Sequence, residues 1–253
     1  MRIHFIRHAT LVVEYGGHIF LVDPMLDAAG ARPPIQDSPN ARNNPLVALP
    51  ARPEEFLDQV EAILVTHTHS DHWDSTAENL LAKAIPLFGQ PQDEARFLAA
   101  GFTAVRPIEK SLEWNGINIS RTGGQHGTGE IAQKMAPVSG FVLSSGDEPT
   151  LYIAGDTIWC GAVQHALEMH QPDVIVLNAG GARFLEGNPI TMSTHDVVTV
   201  CRRAPKAKIA AIHMDTINHC LLTRQDLAFQ LEAERLRDRV AVPADGEWVV
   251  FGA

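Results

Sequence analysis

The sequence predicts an α/β chain whose two sheets pack face to face with helices on the outside, a four-layer α/β/β/α sandwich. Three observations support this fold class. The chain opens with a β-hairpin, its first half continues as strands interleaved with helices, and its second half repeats the alternation around buried strands. With 253 residues, 45% of them hydrophobic, it can bury a core without disulfides. We therefore expect one domain over residues 1–253.

The N-terminal segment predicts three strands. Residues 10–15 and 18–22 are rich in β-branched and aromatic side chains and flank Gly16-Gly17, a pair typical of a hairpin turn. Residues 1–8 have the composition of a strand and lack the long apolar centre and the cleavage site of a signal peptide. We therefore interpret them as the first strand.

Residues 27–53 differ from their surroundings. They contain six prolines with asparagines between them, and they show neither strand nor helix periodicity. Long loops inside compact domains are usually functional or disordered. We expect this loop to form a lid or wall of the active site, and a disordered insert is the alternative.

Cap and turn residues mark the remaining elements of the first half. Pro53 stands in the first turn of a short helix, Asp74 or Ser75 caps a second helix, and Gly101 ends a third. The predicted helices cover about 53–60, 75–84 and 91–100, and the predicted strands lie near 62–66, 85–88, 103–106, 117–121, 138–144 and 150–154.

The second half alternates helices with short apolar strands. Thr223 is a suitable cap for the last helix. Short apolar runs between helical segments are typical of buried strands. The predicted helices cover about 160–170, 195–203 and 223–237, and the predicted strands are 173–177, 209–212 and 247–251.

Composition narrows the function. The net charge of −10 gives no overall attraction to DNA or RNA, so we expect no nucleic-acid partner. No run of 18 or more apolar residues predicts a membrane span. Cys160, Cys201 and Cys220 form no CxxC pair, which indicates reduced thiols in a cytoplasmic protein. We expect a small-molecule substrate, and the sequence leaves a homo-oligomer open.

Four metal-ligand side chains fall within six residues of one another. His67, His69, Asp71 and His72 directly follow the predicted strand 62–66 and precede a helix. In an extended segment, residues two apart face the same side, so His67 and His69 can bind one ion together. The turn into the helix can direct Asp71 and His72 toward a second ion. Imidazole and carboxylate groups suit zinc and similar divalent metals.

Further candidate ligands stand at the ends of later strands. His126 lies in a glycine-rich segment, where the backbone can approach a ligand closely. Asp156 follows the strand near 150–154, and His213 follows the strand 209–212. Two metals need more ligands than the first motif supplies, so we expect these three residues to complete the site.

The motif and the later strand-end ligands together resemble the metallo-β-lactamase superfamily, over nearly the whole chain. This resemblance implies a sandwich whose two sheets carry metals along one edge. The residues that carry the resemblance are His67, His69, Asp71, His72, His126, Asp156 and His213.

The resemblance also implies how the ligands are shared. It implies two divalent ions, for which zinc is the first expectation and manganese the second. The implied ligands are His67, His69 and His126 for one ion, Asp71, His72 and His213 for the other, and Asp156 as the bridge between them.

Shorter stretches resemble one branch of the superfamily, which contains L-ascorbate-6-phosphate lactonase and N-acylphosphatidylethanolamine-hydrolysing phospholipase D. The branch implies a hydrolase for a small ester, lactone or sugar-phosphate lactone. It leaves open whether the substrate is anionic. The stretches are 7–10, 22–24, 155–157, 178–181 and 213–219.

The expected mechanism uses a water shared by the two ions, whose pKa falls from about 15.7 toward neutrality. Asp71 is the candidate to orient this nucleophile or pass on its proton, and His219 or His8 is the candidate to stabilise a developing oxyanion. Asp23 either holds a metal-bound imidazole or caps a turn. Arg183 either pairs with an anionic substrate or faces solvent.

Three alternatives accompany the lactonase interpretation. A phosphodiesterase would use the same metals. The flavodiiron branch resembles this pattern, but with a glutamate at the second ligand position, where this chain has His69. A metal-stabilised binding or regulatory module is the non-enzyme alternative, which the complete ligand set disfavours.

Overall fold

The computed structural model describes residues 1–135, 137–146 and 148–251. The strands of the N-terminal half begin with the predicted hairpin and continue into short buried segments. They are β1 (Arg2–Arg7), β2 (Thr10–Tyr15), β3 (His18–Val22), β4 (Ala62–Val65), β5 (Leu87–Gly89) and β6 (Val105–Pro107).

The later strands form a second series. They are β7 (Ser111–Trp114), β8 (Ile117–Gly123), β9 (Ser139–Ser144), β10 (Leu151–Ile153), β11 (Val174–Asn178), β12 (Lys208–Ile212), β13 (Val240–Ala241) and β14 (Trp248–Val250).

These strands form two seven-stranded sheets with the same internal plan. The first has the order β14-β1-β2-β3-β4-β5-β6 and the second β13-β12-β11-β10-β9-β8-β7. In the first sheet, β1 to β3 are antiparallel and β3 to β6 are parallel. In the second, β7 to β10 are antiparallel and β10 to β13 are parallel. Each sheet therefore has parallel strands whose carboxyl ends meet at one edge.

Alternate side chains of each strand face different layers. In β4, Leu64 packs in the core between the two sheets, while Ile63 packs with Phe97 of a covering helix. In β11, Val176 faces the core between the sheets, and Ile175 faces helices on the other side. This period of two places one core between the sheets and one under each helix layer, which confirms the predicted four-layer sandwich.

Side-chain caps begin most of the longer helices. The Asp74 carboxylate accepts from the backbone N–H of Ala77, and Ser193 forms a reciprocal capping box with Asp196. The helices are α1 (Glu54–Leu57), α2 (Ser75–Leu80), α3 (Glu94–Ala99), α4 (Gly129–Met135), α5 (Gly161–His170), α6 (Thr194–Arg203) and α7 (Arg224–Ala233).

Several bounds differ from the sequence-based expectation. The second helix ends at Leu80 rather than near residue 84, and the last ends at Ala233 rather than near residue 237. The strands β7 and β13 and the helix α4 were not predicted. Within the described residues, no helix has both the length and the apolar character needed to cross a membrane.

Candidate metal centre

The ends of four strands position the candidate ligands. The segment from His67 to His72 follows β4 of the first sheet, whereas His126, Asp156 and His213 follow β8, β10 and β12 of the second sheet. The edges of the two sheets lie side by side here, because His67 Nε2 is 4.0 Å from a carboxylate oxygen of Asp156. Side chains far apart in sequence therefore meet between the two sheets.

Three groups of side chains have ligand atoms that lie within 4.8 Å of one another. All of these side chains are buried except that of His69, which is partly exposed. The structure thus brings together every one of the seven ligands predicted from the sequence, and it adds His8. The groups are His67, His69 and His126; His67, His72 and Asp156; and His8, Asp71, His72 and His213.

The chemistry of this donor set fits divalent cations. His67 Nε2 lies 2.9 Å from His69 Nδ1, and His72 Nε2 lies 3.2 Å from His213 Nε2. Two imidazole nitrogens bound to one zinc at 2.0–2.1 Å in a tetrahedron stand about 3.3 Å apart, so these separations suit a shared ion. Neutral imidazoles packed nitrogen to nitrogen in a buried space leave ring-nitrogen lone pairs without a donor, whereas one cation can accept a lone pair from each ring.

Asp156 stands between the two groups of histidines. Its Oδ2 lies 3.5 Å from His126 Nε2 and 4.0 Å from His67 Nε2. Its Oδ1 lies 3.3 Å from His72 Nε2 and 3.2 Å from His213 Nε2. Each carboxylate oxygen therefore faces a different pair of imidazoles.

Burial prepares most of these imidazoles for ligation. Burial lowers the pKa of His67 and His213 well below the ordinary value and also lowers that of His69, so the rings are neutral. For His72, burial also lowers the pKa, but Asp156 and Asp23 together outweigh it and raise the pKa well above the ordinary value. A cation that binds here therefore displaces a proton from His72.

Asp23 holds both the β4 end and His72 in place. Its Oδ1 accepts from the Thr66 N–H at 2.7 Å, and its Oδ2 accepts from the Thr66 hydroxyl at 2.7 Å and from His72 Nδ1 at 2.8 Å. The bond to Nδ1 leaves Nε2 of His72 facing the cluster. Asp23 is thus placed to orient a metal-bound imidazole, the first of its two predicted roles.

Hydrogen bonds from other elements orient two further ligands. His126 Nδ1 donates to the Ile190 carbonyl at 2.7 Å, which directs its Nε2 toward Asp156. Asn178 Nδ2 donates to Asp156 Oδ1 at 2.7 Å. The sequence reasoning did not assign Asn178 this role, although its position at the end of β11, on the same sheet edge, was a usable signal.

His8 contacts the side of the cluster that contains Asp71. Its Nε2 lies 3.0 Å from Asp71 Oδ2, and its ring contacts that of His213 at a tilt of 35°, with centroids 3.6 Å apart. Burial would raise the pKa of Asp71, but the hydrogen bond from His8 and the positive charge of His72 outweigh it and hold that pKa well below the ordinary value. Asp71 is therefore an ionised carboxylate.

Backbone strain is concentrated at this site. His8, Asp23 and His213 have φ values of 60°, 44° and 76°, in the left-handed region that L residues seldom adopt. The His213 N–H donates to the His8 carbonyl at 2.9 Å, which ties two of these strained residues together. Strained backbone of this kind persists where the surroundings fix it and is typical of functional sites.

Part of the predicted loop 27–53 lies beside the cluster, where Arg32, Ile35 and Asn44 line a small cavity together with Asp71. Asn218 fixes this part of the loop, because its Oδ1 accepts from Asn44 Nδ2 and from the Ile35 N–H, while its Nδ2 donates to Ser38. The sequence reasoning missed Asn218, since nothing local distinguishes it from a turn asparagine.

His219 follows Asn218 and is almost fully buried. Its Nδ1 has no hydrogen-bond partner among the described residues, and its ring centroid lies 6.2 Å from that of Phe184. Burial lowers the pKa of His219, although Asp71 and Asp156 act in the opposite direction. Its side chain is therefore neutral and near the carboxylates of the cluster without belonging to a ligand group.

The structure does not bring Arg183 into the cluster. Its guanidinium donates to the Gly187 carbonyl at 3.1 Å within its own loop. The backbone of Arg183 contacts the site instead, since its N–H donates to the His219 carbonyl at 3.0 Å. Cys220, which the sequence reasoning treated only as a buried thiol, has its Sγ 3.6 Å from His213 Nδ1.

Comparison with known proteins agrees with this fold. Residues 18–214 match the family model of the beta-lactamase superfamily domain. UPF0173 protein YddR of Bacillus subtilis is 37% identical over 99% of this chain and 100% of its own length. A UPF0173 metal-dependent hydrolase of Pyrococcus horikoshii is 26% identical over 85% of each chain.

Two solved structures are similar over almost their full lengths. One, described as a possible metal-dependent hydrolase from Veillonella parvula, has a TM-score of 0.97 at 38% identity, with 99% of each chain covered. The other, an isothiocyanate hydrolase from Delia radicum gut bacteria, has a TM-score of 0.95 at 37% identity, with 100% of each chain covered.

The two-sheet sandwich, its histidine and aspartate cluster and its relatives define a metal-dependent hydrolase with the metallo-β-lactamase fold. The chain belongs to the beta-lactamase superfamily and, within it, to the UPF0173 family.

Proposed function

We propose that residues 1–253 act as one binuclear hydrolase that attacks a small, uncharged electrophilic carbon, and that isothiocyanates are its first candidate substrates. Zinc is the expected metal and manganese the second candidate. The similar isothiocyanate hydrolase supports the substrate class, because the two chains align over their full lengths at 37% identity.

The position of Asp156 is the observation that carries the binuclear proposal. Because its two oxygens face different pairs of imidazoles, one carboxylate can bridge two ions. The proposed ligands are His67, His69 and His126 for one ion and Asp71, His72 and His213 for the other, with Asp156 between them.

The ions, when bound, supply Lewis acidity and a water that ionises near neutral pH. The protein's own groups then control where that water reacts. Asp71, held ionised by His8, is a hydrogen-bond acceptor that orients the nucleophile. His219, whose Nδ1 has no hydrogen-bond partner among the described residues, is the candidate to carry a proton to the leaving atom.

For an isothiocyanate, oxygen from water bonds to the central carbon while a proton reaches the nitrogen. The bond between the central carbon and the nitrogen then breaks, and the second proton of the water also ends on the nitrogen. One water is consumed, and an amine and carbonyl sulfide are released. In this scheme His219 passes protons to the nitrogen, which gains both protons of the water.

The arginines near the site do not decide the charge of the substrate. Arg32 pairs with Asp27 at 2.9 Å and donates to the Ser70 carbonyl, but its Nη2 is buried with no hydrogen-bond partner among the described residues. Arg183 donates to its own loop. An anionic ester or lactone therefore belongs in the substrate screen. Esters and lactones, expected from the lactonase-branch resemblance, also present an electrophilic carbon and are the second candidate class.

Metal analysis together with a substrate screen tests this proposal. We expect about two zinc or manganese ions per chain and turnover of allyl isothiocyanate above that of γ-lactones and of bis-p-nitrophenyl phosphate. The variants His69→Ala and Asp156→Ala should lose more activity than the roughly 10–100-fold typical of groups that only support a ligand. His165→Ala and Asp238→Ala, at exposed positions, are the matched controls.

Each result separates the alternatives. Preferred turnover of the phosphodiester would favour the phosphodiesterase, and preferred turnover of a lactone would favour the lactonase branch. Stoichiometric metal without turnover of any of the three would indicate a binding module. Full activity in both ligand variants would refute the site itself.

A further inference from the structure

A largely apolar cavity of about 450 Å³ lies between α4, the loop after β11 and the long loop 27–53. Its apolar lining consists of Ile131 and Met135 from α4 and of Phe184 and Leu185 from the loop after β11. Asp37, Lys134 and Glu186 also line it and are exposed. Pockets that bind small organic molecules are usually about 300–1,000 Å³ and mostly apolar, so this cavity has a suitable size and lining.

One wall of the cavity packs against residues next to the metal centre. Phe184, which lines it, has its ring 6.2 Å from that of His219. Phe184, Ile131 and Met135 pack on a buried cluster that contains Ile190 and Cys220. These two residues reach the proposed ligands, because the Ile190 carbonyl accepts from His126 Nδ1 and Cys220 Sγ lies 3.6 Å from His213 Nδ1.

The segments around the cavity hold each other in place. The Leu185 N–H donates to the Asp37 carbonyl at 2.7 Å, which joins the loop after β11 to the long loop 27–53. A Cβ placed on Gly187 would lie 2.8 Å from Ile131 Cδ1, so α4 packs directly on that same loop. Three mutually packed segments therefore form the walls of the cavity, which is open to solvent on one side.

We propose that this cavity binds the uncharged hydrocarbon group of the substrate and so determines which substrates are hydrolysed. A group the size of 2-phenylethyl fits within the apolar part, and the electrophilic carbon then extends past Phe184 toward His219. This inference rests on the proposed function, since it concerns the substrate of the same site.

A homologous series of isothiocyanates, from methyl through butyl to 2-phenylethyl, tests the proposal with the metal-loaded enzyme. Each kcat/KM is divided by the rate of the same compound with hydroxide, which removes differences in intrinsic reactivity. Burial of one methylene contributes about 0.8 kcal/mol, so we expect this corrected value to rise about fourfold per methylene.

Two variants alter the cavity in opposite directions. Met135→Trp fills it and should lower the ratio of 2-phenylethyl to methyl turnover by more than tenfold. Phe184→Ala removes an apolar wall and should lower the same ratio to a smaller extent. The ratio cancels a general loss of activity. Met169→Trp and Phe229→Ala make the same changes at exposed positions on α5 and α7 and should leave the ratio as in the wild type.

A binding measurement keeps the inference testable without turnover. The chain contains six methionines, so methyl-labelled methionine gives a simple NMR spectrum, in which the loss of one signal in Met135→Leu identifies Met135. We expect 2-phenylethanol, an unreactive probe, to shift the Met135 signal with saturation and to leave that of Met169 unchanged.

The outcomes distinguish this inference from the proposed function. A flat homologous series, an unchanged ratio in Met135→Trp, or a Met135 signal unaffected by 2-phenylethanol would overturn the cavity proposal even if isothiocyanates are hydrolysed. If only lactones are hydrolysed, the isothiocyanate proposal fails, and the same ratio measured with alkyl-substituted lactones tests the cavity.

Discussion

Replacing Asp23 by asparagine should weaken metal binding while preserving the fold. Asparagine has nearly the same size and tolerates the left-handed backbone that Asp23 adopts, with φ of 44°. However, three donors point at this carboxylate, two from Thr66 and one from His72. The amide offers only one acceptor oxygen, so its NH₂ group must face at least one of these donors.

The size of the effect follows from these contacts. In its better orientation, the amide keeps the acceptor for His72 Nδ1 and for the Thr66 hydroxyl, and it loses the bond from the Thr66 N–H. A buried hydrogen bond to a charged group contributes about 1.5–3 kcal/mol. The bond that remains to His72 is neutral and orients the ring less firmly. We therefore expect a 10–100-fold weaker affinity for zinc, the range typical of groups that support a metal ligand.

The assay is a zinc competition titration against a chromophoric chelator at neutral pH, with thermal unfolding of the chelator-treated protein in parallel. Asp74→Asn is the matched control, because Asp74 is also buried and accepts two backbone N–H bonds, from Ala77 and Asp27, but contacts no histidine. It should lose stability and retain its zinc affinity. Equal zinc affinity of the two variants, within twofold, would refute the role given to Asp23.

Two further predictions concern the metals and the loop. Removing the ions with a chelator should lower Tm by roughly 8–16 °C. A ligand at 1,000 times its Kd stabilises the fold by about 4 kcal/mol, and each kcal/mol shifts Tm by about 2–4 °C in a chain of this size. A Tm unaffected by the chelator would contradict the metal site. Asn218→Ala should free the loop 27–53, so that limited proteolysis cuts the loop faster and KM rises more than kcat falls. Asn118→Ala, at an exposed position, is the control. Equal cleavage of the two variants would contradict the role of Asn218.

The fold class was accessible from the sequence because its signals are local. The Gly16-Gly17 pair, the apolar run of β4 and the helix caps each act over a few residues. The meeting of the seven candidate ligands was also foreseeable, since each stands just after a strand and strand ends of packed sheets share an edge. That these residues bind metal stays a prediction. The roles of His8, His219 and Arg183 and the cytoplasmic location also stay predictions.

Other features depend on contacts that no short segment encodes. The helix α4 begins at Gly129 and presents no buried side chain, so its sequence has no clear apolar period. Its packing against Gly187 involves a partner almost 60 residues away in sequence. Likewise, Asn218 organises a loop about 180 residues earlier in the chain. Only the folded chain shows these pairings.

The division of the donors between the sheets has a mechanical consequence. The first sheet supplies the His67–His72 segment and the second supplies His126, Asp156 and His213, so the two ions proposed above would join the two sheets at one edge. Sliding of one sheet over the other would stretch several coordination bonds at once. The same cations that would drive hydrolysis would thus also keep the halves of the sandwich in register.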